Sequence, residues 1–247
     1  METKIRVGAV SYLNTKPLIY GLENGIIKDD IELITDYPAN IATLLVQNKV
    51  DIALVPIATI PLFKEHFIVT DYCIATNGEV ASVCLFSDVP LEEIKTILLD
   101  YQSKSSVGLL KILLYNYWKI SPIITNANAG YEQSINGTTA GLVIGDRAFE
   151  QRHKNKYVYD LGLAWLAYTG LPFVFAAWVA NKKLPMHFIQ LLNMAIGVGL
   201  QNLQIIIAAN PYPHYDLQRY YTQNISYVLD ADKRKAIELY LQKLTEL

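Results

Sequence analysis

Short apolar runs alternate with helix-patterned stretches along the chain, and this alternation limits the fold more than any other feature. The apolar runs lie at 4–10, 31–36, 51–56, 67–75, 80–87, 96–100, 122–125, 140–145 and 173–180. The helix-patterned stretches lie at 17–24, 38–48, 57–64, 105–118, 130–136, 146–152, 186–208, 213–222 and 232–246. Such alternation predicts an α/β protein with parallel sheets covered by helices. The clearest helix runs from Ser105 to Trp118: Val107, Leu110, Leu114 and Tyr117 share one face, and Ser103, Ser105 and Ser106 offer capping oxygens. With 247 residues, 52 % of them hydrophobic, the chain can bury a large core as one domain or as two lobes.

Two places break the alternation. Asn77-Gly78 separates the apolar runs 67–75 and 80–87 with no helix between them, and a second crossing is expected near 173–180. The chain is therefore expected to leave a first lobe, build a second and return. Residues 1–85 with 178–247 would form the first lobe and 86–177 the second, with a cleft between them. The helical C-terminal stretch would complete the first lobe.

Composition removes several classes of function. The formal net charge is −2, with no long block of one sign, which argues against a surface that tracks nucleic-acid phosphates. Cys73 and Cys84 sit in apolar runs with no Cys-x-x-Cys and read as buried thiols. His66, His153, His187 and His214 are scattered without metal-ligand spacing, so no metal is expected. Gly197-Val198-Gly199-Leu200 lacks the third glycine of a dinucleotide loop and lies in a helical pattern. No phosphate loop and no Gly-x-Ser-x-Gly elbow is present. The uncharged stretch Leu161 to Asn181 is long enough to span a bilayer, but Gly170-Leu171-Pro172 divides it, and a helix followed by a strand fits better. The first residues, Met1-Glu2-Thr3-Lys4, carry no leader pattern, which gives a cytoplasmic expectation.

Chemistry concentrates where strands end. Ile5 to Val10 runs into Ser11-Tyr12-Leu13-Asn14-Thr15-Lys16-Pro17-Leu18, and Pro17 suits a first helical position. Ser11, Asn14 and Thr15 can donate to a small anion there, with help from the amides of a helix start. Asp51 to Pro56 is a buried-strand pattern, either an ordinary strand–helix unit or part of the same site. Ser103-Lys104-Ser105-Ser106-Val107 reads equally as caps or as a carboxylate pocket built without arginine. Ala140 to Gly145 gives a third strand end, where Asp146 either caps the next helix or touches substrate.

Taken in order, these segments, with Ala81-Ser82-Val83 and the stretch from Asp160-Leu161-Gly162 through Trp165 to Thr169-Gly170-Leu171-Pro172-Phe173, resemble the chorismate dehydratases of the futalosine route to menaquinone. The resemblance runs from about Arg6 to Trp178. It implies a fold like the type II periplasmic binding proteins, in agreement with the two-lobed clamp. It also implies loss of water from chorismate to give 3-[(1-carboxyvinyl)oxy]benzoate without cofactor or metal. By position, Asn14 and Ser82 match catalytic positions, and Ser105, Ser106 and Val107 match an anion pocket of the second lobe. With the strand-end readings, the expected substrate-binding set is Ser11, Thr15, Val55, Pro56, Ser105, Ser106, Val107, Gly145, Asp146 and Thr169.

The sister dihydroxynaphthoate synthase resembles this family but looks to use a second-lobe histidine. No histidine lies between Gln102 and Gln151 here, which argues against that activity. The base is then either the substrate's own enolpyruvyl carboxylate or, as its rival, Asp146. The alternative class is a cytoplasmic small-anion binding protein or sensor on the same clamp. A dicarboxylate receptor more often clamps its ligand with arginine, and the chain has only Arg6, Arg147, Arg152, Arg219 and Arg234.

Overall fold

The structure is a computed structural model that describes residues 4–25 and 27–247. Met1–Thr3, at the start of the segment read for a leader, lie outside the described residues. The first sheet contains β1 (Ile5–Val10), β2 (Ile31–Asp36), β3 (Ile52–Pro56), β4 (Phe67–Thr76), β10 (Phe173–Ala180) and β11 (Ser226–Val228). Their order across the sheet is β11-β4-β10-β3-β1-β2. The second sheet contains β5 (Val83–Ser87), β6 (Thr96–Leu99), β7 (Ile123–Asn126), β8 (Thr139–Ile144) and β9 (Tyr157–Asp160), in the order β7-β6-β8-β5-β9.

The α/β class holds, but the sheets are mixed rather than parallel throughout. β2, β1 and β3 run parallel, as do β7, β6 and β8. β10 pairs antiparallel with β3 and β4, and β5 pairs antiparallel with β8 and β9. The reason lies in the crossings. β4 passes directly to β5 in the other lobe, so neither strand is followed by a covering helix that would return the chain in the same direction.

The helices are α1 (Lys16–Asn24), α2 (Pro38–Val46), α3 (Lys104–Ile112), α4 (Asp146–Gln151), α5 (Leu161–Thr169), α6 (Met186–Gln201), α7 (Leu203–Ala209), α8 (Leu217–Arg219) and α9 (Ala231–Thr245). Several expected helices are shorter or tighter. The stretch 57–64 is a 3-10 run, Ile57–Leu62, because Pro61 inside it removes a donor. The stretch 130–136 holds only the 3-10 turn Tyr131–Ser134. The expected helix 105–118 is α3 continued by a π turn, Leu113–Trp118, and it stops at Lys119 in the left-handed region. The stretch 186–208 breaks at Asn202 into α6 and α7, bent by 69°. The stretch 213–222 becomes α8 and a π turn, Tyr220–Asn224. α6 packs on α1, and a Cβ at Gly199 would lie 1.9 Å from the Pro17 carbonyl oxygen. The Gly197-Val198-Gly199 run is thus a helix crossing.

The chain changes sheets between Thr76 and Val83, and again between Asp160 and Phe173, where α5 intervenes. The expected lobe limits at 85/86 and 177/178 therefore fall inside β5 and β10, and each of those strands lies wholly in one sheet. Both strands are buried along their whole length, so their apolar patterns gave no mark of the lobe boundary. The uncharged stretch Leu161 to Asn181 resolves into α5, the Gly170 turn and β10. Among the described residues no single helix is long and apolar enough to cross a membrane.

One apolar core runs through both lobes, joining Val55 and Trp178 of the first sheet to Leu85 and Ile97 of the second and to Trp165 and Tyr240. A smaller cluster of Cys84, Phe86, Tyr131, Ile135, Val143 and Ala148 packs the opposite face of the second sheet. Cys73 and Cys84 are buried and free, and burial pushes both thiols up, Cys73 to about 12.

Candidate active site

Strand ends from both lobes converge on a cavity of about 50 Å³. The first lobe contributes Val10, Tyr12 and Asn14 after β1, and Pro56 at the end of β3. The second contributes Ser103 and Ser106 at the start of α3, with Ile144 and Gly145 at the end of β8. The first crossing adds Val80 and Ser82, and β10 adds Phe175 and Ala176. Ligand sites of open α/β sheets lie at such strand ends. Among the described residues, the lining includes no histidine, carboxylate, lysine or arginine.

Of the expected site residues, Asn14, Pro56, Ser82, Ser106 and Gly145 line this cavity. The others lie elsewhere. Ser11 is exposed, and its N–H donates to the Asp36 carbonyl at 3.2 Å. Thr15 is buried beneath the wall and donates its hydroxyl to Asn14 Oδ1 at 3.3 Å. Val55 belongs to the core of β3. Ser105 faces the first lobe: its Oγ accepts the Ala58 N–H at 3.2 Å and its carbonyl accepts the Tyr240 hydroxyl at 3.0 Å. Val107 borders a separate groove beside Lys104 and Lys111. Thr169 closes its own helix end, donating to the Trp165 carbonyl at 2.9 Å and accepting from Leu171 N–H. For all of these but Thr169, an adjoining position lines the cavity.

The polar wall is arranged to donate. Ser103 Oγ accepts the Ser106 N–H at 3.1 Å and gives its own proton to Ser106 Oγ at 2.9 Å. Among the described residues Ser106 has no acceptor for its hydroxyl hydrogen, which is left for a guest. Ser82 Oγ accepts the Tyr220 hydroxyl at 2.8 Å, and among the described residues its hydroxyl hydrogen has only the Val80 carbonyl as acceptor, at a long 3.5 Å. Asn14 has its Oδ1 engaged by Thr15 at 3.3 Å. The start of α3 adds the partial positive charge of a helix N-terminus. Such a set of donors in an apolar enclosure suits an anionic guest.

Ser82 is held by an unusual backbone. Ala81 has φ 64, a left-handed value that costs a non-glycine residue about 1 kcal/mol or more. Asp160 sustains it: its carboxylate accepts the N–H groups of Val80 (3.1 Å), Ala81 (2.8 Å), Gly162 (2.9 Å) and Leu163 (3.1 Å). One carboxylate thus ties the first crossing to the start of α5 in the second.

Other bonds join the lobes across the cleft. Asp146 accepts the Leu13 N–H at 3.2 Å. The helix start after β1, expected to hold a ligand anion, therefore already holds a carboxylate of the protein. Thr15 N–H is likewise spent on the Tyr12 carbonyl at 3.0 Å. Tyr12 donates its hydroxyl to Gln102 Oε1, which also accepts Arg147 Nη2 at 2.9 Å. Arg147 in turn pairs with buried Asp100 at 2.6 Å and with Glu132. Burial pushes the Tyr12 phenol well above its ordinary value, so it stays a donor. Sequence reasoning passed over Tyr12, Ser103 and Tyr220 as site residues. Tyr12 and Ser103 lay inside quoted segments, whereas nothing local singled out Tyr220 among 17 tyrosines.

Comparison with known proteins agrees with this architecture. A crystal structure of protein AF1704 from Archaeoglobus fulgidus superposes with a TM-score of 0.76 at 13 % identity, covering 98 % of this chain and 97 % of that one. The Candida albicans CA3427 gene product, described as having the generic periplasmic binding protein fold, gives 0.67 at 14 % identity over 99 % and 91 %. At these identities the likeness establishes the fold, which is that of the periplasmic binding proteins. The curated chorismate dehydratase of Thermus thermophilus is 26 % identical over 96 % of this chain and 94 % of its own length. The profile of a family described as menaquinone biosynthesis matches residues 5–246, and the chain belongs to that family.

Proposed function

We propose that the protein is a hydro-lyase that converts chorismate to 3-[(1-carboxyvinyl)oxy]benzoate and water inside the interlobe cavity. The similarity to the Thermus thermophilus chorismate dehydratase supports the substrate. The observation that carries the reading is the lining itself: hydroxyl and amide donors from both lobes with no ionisable base among them.

The chemistry follows from that lining. Chorismate carries an allylic C–H beside the carbon that bears its hydroxyl. Removing the proton spreads negative charge through the ring diene to the ring carboxylate. Donors fixed around that carboxylate stabilise the charge as it develops. Expulsion of hydroxide then forms the aromatic ring and drives the step. Ser82 anchors a carboxylate, and Asn14 orients the substrate and receives the departing hydroxyl. Ser106, at the start of α3, offers a donor from the second lobe.

The proton passes to the substrate's own enolpyruvyl carboxylate and then to the leaving hydroxide, completing one water. A held intramolecular group acts at an effective concentration of about 10⁵ M or more, enough to replace a side-chain base. Asp146, the rival, is engaged with Leu13 and lies outside the lining. The deciding experiment incubates purified protein with chorismate, without added metal or cofactor, and follows the mass for loss of one water. Chorismate bound but unchanged would favour the binding-protein alternative.

A further inference from the structure

The residue that sets the polarity of the candidate site comes from the C-terminal part of the chain. Tyr220 opens the π turn after α8, and its side chain is fully buried. Phe149 stands against its ring edge-on at 4.9 Å, with Tyr221 at 5.7 Å and Tyr215 at 6.1 Å. That packing leaves the hydroxyl one place to go. It donates to Ser82 Oγ at 2.8 Å.

The direction of these bonds matters more than their number. A hydroxyl that accepts from behind is free to donate in front. Because Ser82 accepts the Tyr220 hydrogen bond, its own hydrogen has, among the described residues, only the distant Val80 carbonyl and is available to a guest. Thr15 donates its hydroxyl to Asn14 Oδ1 at 3.3 Å. Tyr227 adds a bond from its hydroxyl to the Asn14 carbonyl at 3.0 Å, fixing the backbone of that residue. Without the Tyr220 oxygen, Ser82 can rotate to accept from the guest.

We infer that Tyr220 is a positioning residue of the dehydration: it makes Ser82 present a hydrogen-bond donor to the anionic substrate. This rests on the chorismate reading above. Tyr220 acts through Ser82 and is not among the residues that line the cavity.

Tyr220→Phe removes one oxygen and keeps the ring and its aromatic neighbours. The test is a double-mutant cycle on chorismate turnover with Tyr220→Phe, Ser82→Ala and the pair. Tyr220→Phe is expected to lower kcat/KM about tenfold or more, the value of one hydrogen bond to a charged centre. The pair is expected to fall little below Ser82→Ala alone, because the tyrosine has nothing left to orient. A purely structural tyrosine would instead multiply its loss onto that of Ser82→Ala. Tyr221→Phe is the control. Its buried hydroxyl has no partner among the described residues, and its removal should leave turnover unchanged. Parental rates in Tyr220→Phe, or independent losses in the pair, overturn the inference while leaving the chorismate reading intact. A parent protein that binds chorismate without turnover moves the same cycle to binding affinity by calorimetry. A parent that neither converts nor binds chorismate overturns both.

Discussion

The Asp146 carboxylate of the second lobe accepts the backbone N–H of Leu13 in the first at 3.2 Å, closing the cleft beside the cavity. A carboxylate so engaged is a clasp, not a free base. Asparagine keeps an acceptor for Leu13 but cannot take a proton at working pH. Asp146→Asn is therefore expected to dehydrate chorismate within about fivefold of the parent, whereas loss of a general base costs about 10²–10⁴-fold. Steady-state rates near neutral pH distinguish the two, and a loss of a hundredfold would assign the proton to Asp146.

The same clasp makes a pH prediction. Burial, aided by Glu150, pushes the Asp146 carboxyl up from 3.8 to about 6, against the pull of the Leu13 N–H, Lys16 and Arg147. Between those values the folded protein holds a proton that the unfolded chain has released. The stabilisation tied to that proton is complete below pH 3.8 and is lost as pH rises through about 6. Melting temperatures of the parent and Asp146→Asn, measured over this window, should show the parent losing ground to the variant as pH rises. A constant difference between them would exclude the titration.

Gly145 takes the opposite side of the same contact. Its φ is +65, and a Cβ there would lie 3.2 Å from three atoms of the Tyr12 ring. Gly145→Ala must therefore accept backbone strain of about 1–3 kcal/mol and push Tyr12 from its place between the lobes. The expected result is a lower melting temperature together with a KM for chorismate raised by about tenfold, since Tyr12 both lines the cavity and reaches Gln102. Unchanged KM would mean that the ring does not help to hold the closed form.

How far the sequence could be read depended on whether the signal was local. β3, with every residue buried, declared itself as a continuous apolar run. The capping serine at 103 declared the start of α3, and its Oγ does accept from Ser106. β9 was missed although Tyr157 and Tyr159 alternate around Val158 as a strand requires, and β11 is only three residues long. In the candidate site, Asn14 was legible as a polar residue just after an apolar run, whereas Ser82, inside the run 80–87, entered through the family resemblance. The role of Ser105 was not, because its partners Ala58 and Tyr240 are remote in sequence. Tyr220 reaches Ser82 across 138 positions, a distance over which no periodicity speaks.

Asn14 is only partly buried at the cavity wall, so its truncation should spare the fold. Asn14→Ala removes the amide donor assigned to the departing hydroxyl. Loss of one such donor costs about 10²–10³-fold in kcat in comparable oxyanion sites. Turnover numbers at saturating chorismate are expected to fall by at least ~100-fold, with the melting temperature near that of the parent. Full activity in this variant would remove Asn14 from the mechanism.

Asp160 binds the two crossings into one unit, and its removal should be felt in both stability and turnover. Four backbone N–H groups from Val80, Ala81, Gly162 and Leu163 point at one buried carboxylate, with Arg152 3.7 Å away. Alanine would leave those donors without an acceptor where water has little access, and would release Ala81 from φ 64. Each orphaned donor costs about 1–3 kcal/mol, so a total near 3 kcal/mol is expected even after relaxation. Ser82 follows Ala81 directly, so its hydroxyl should also drift from Tyr220. Denaturant unfolding of Asp160→Ala should give a lower midpoint, and the surviving folded protein should turn over chorismate more slowly than the parent at saturating substrate. Asparagine at the same position keeps one acceptor and loses the charge, so it should fall between the two. An alanine variant with parental stability would mean that the strained turn stands without Asp160.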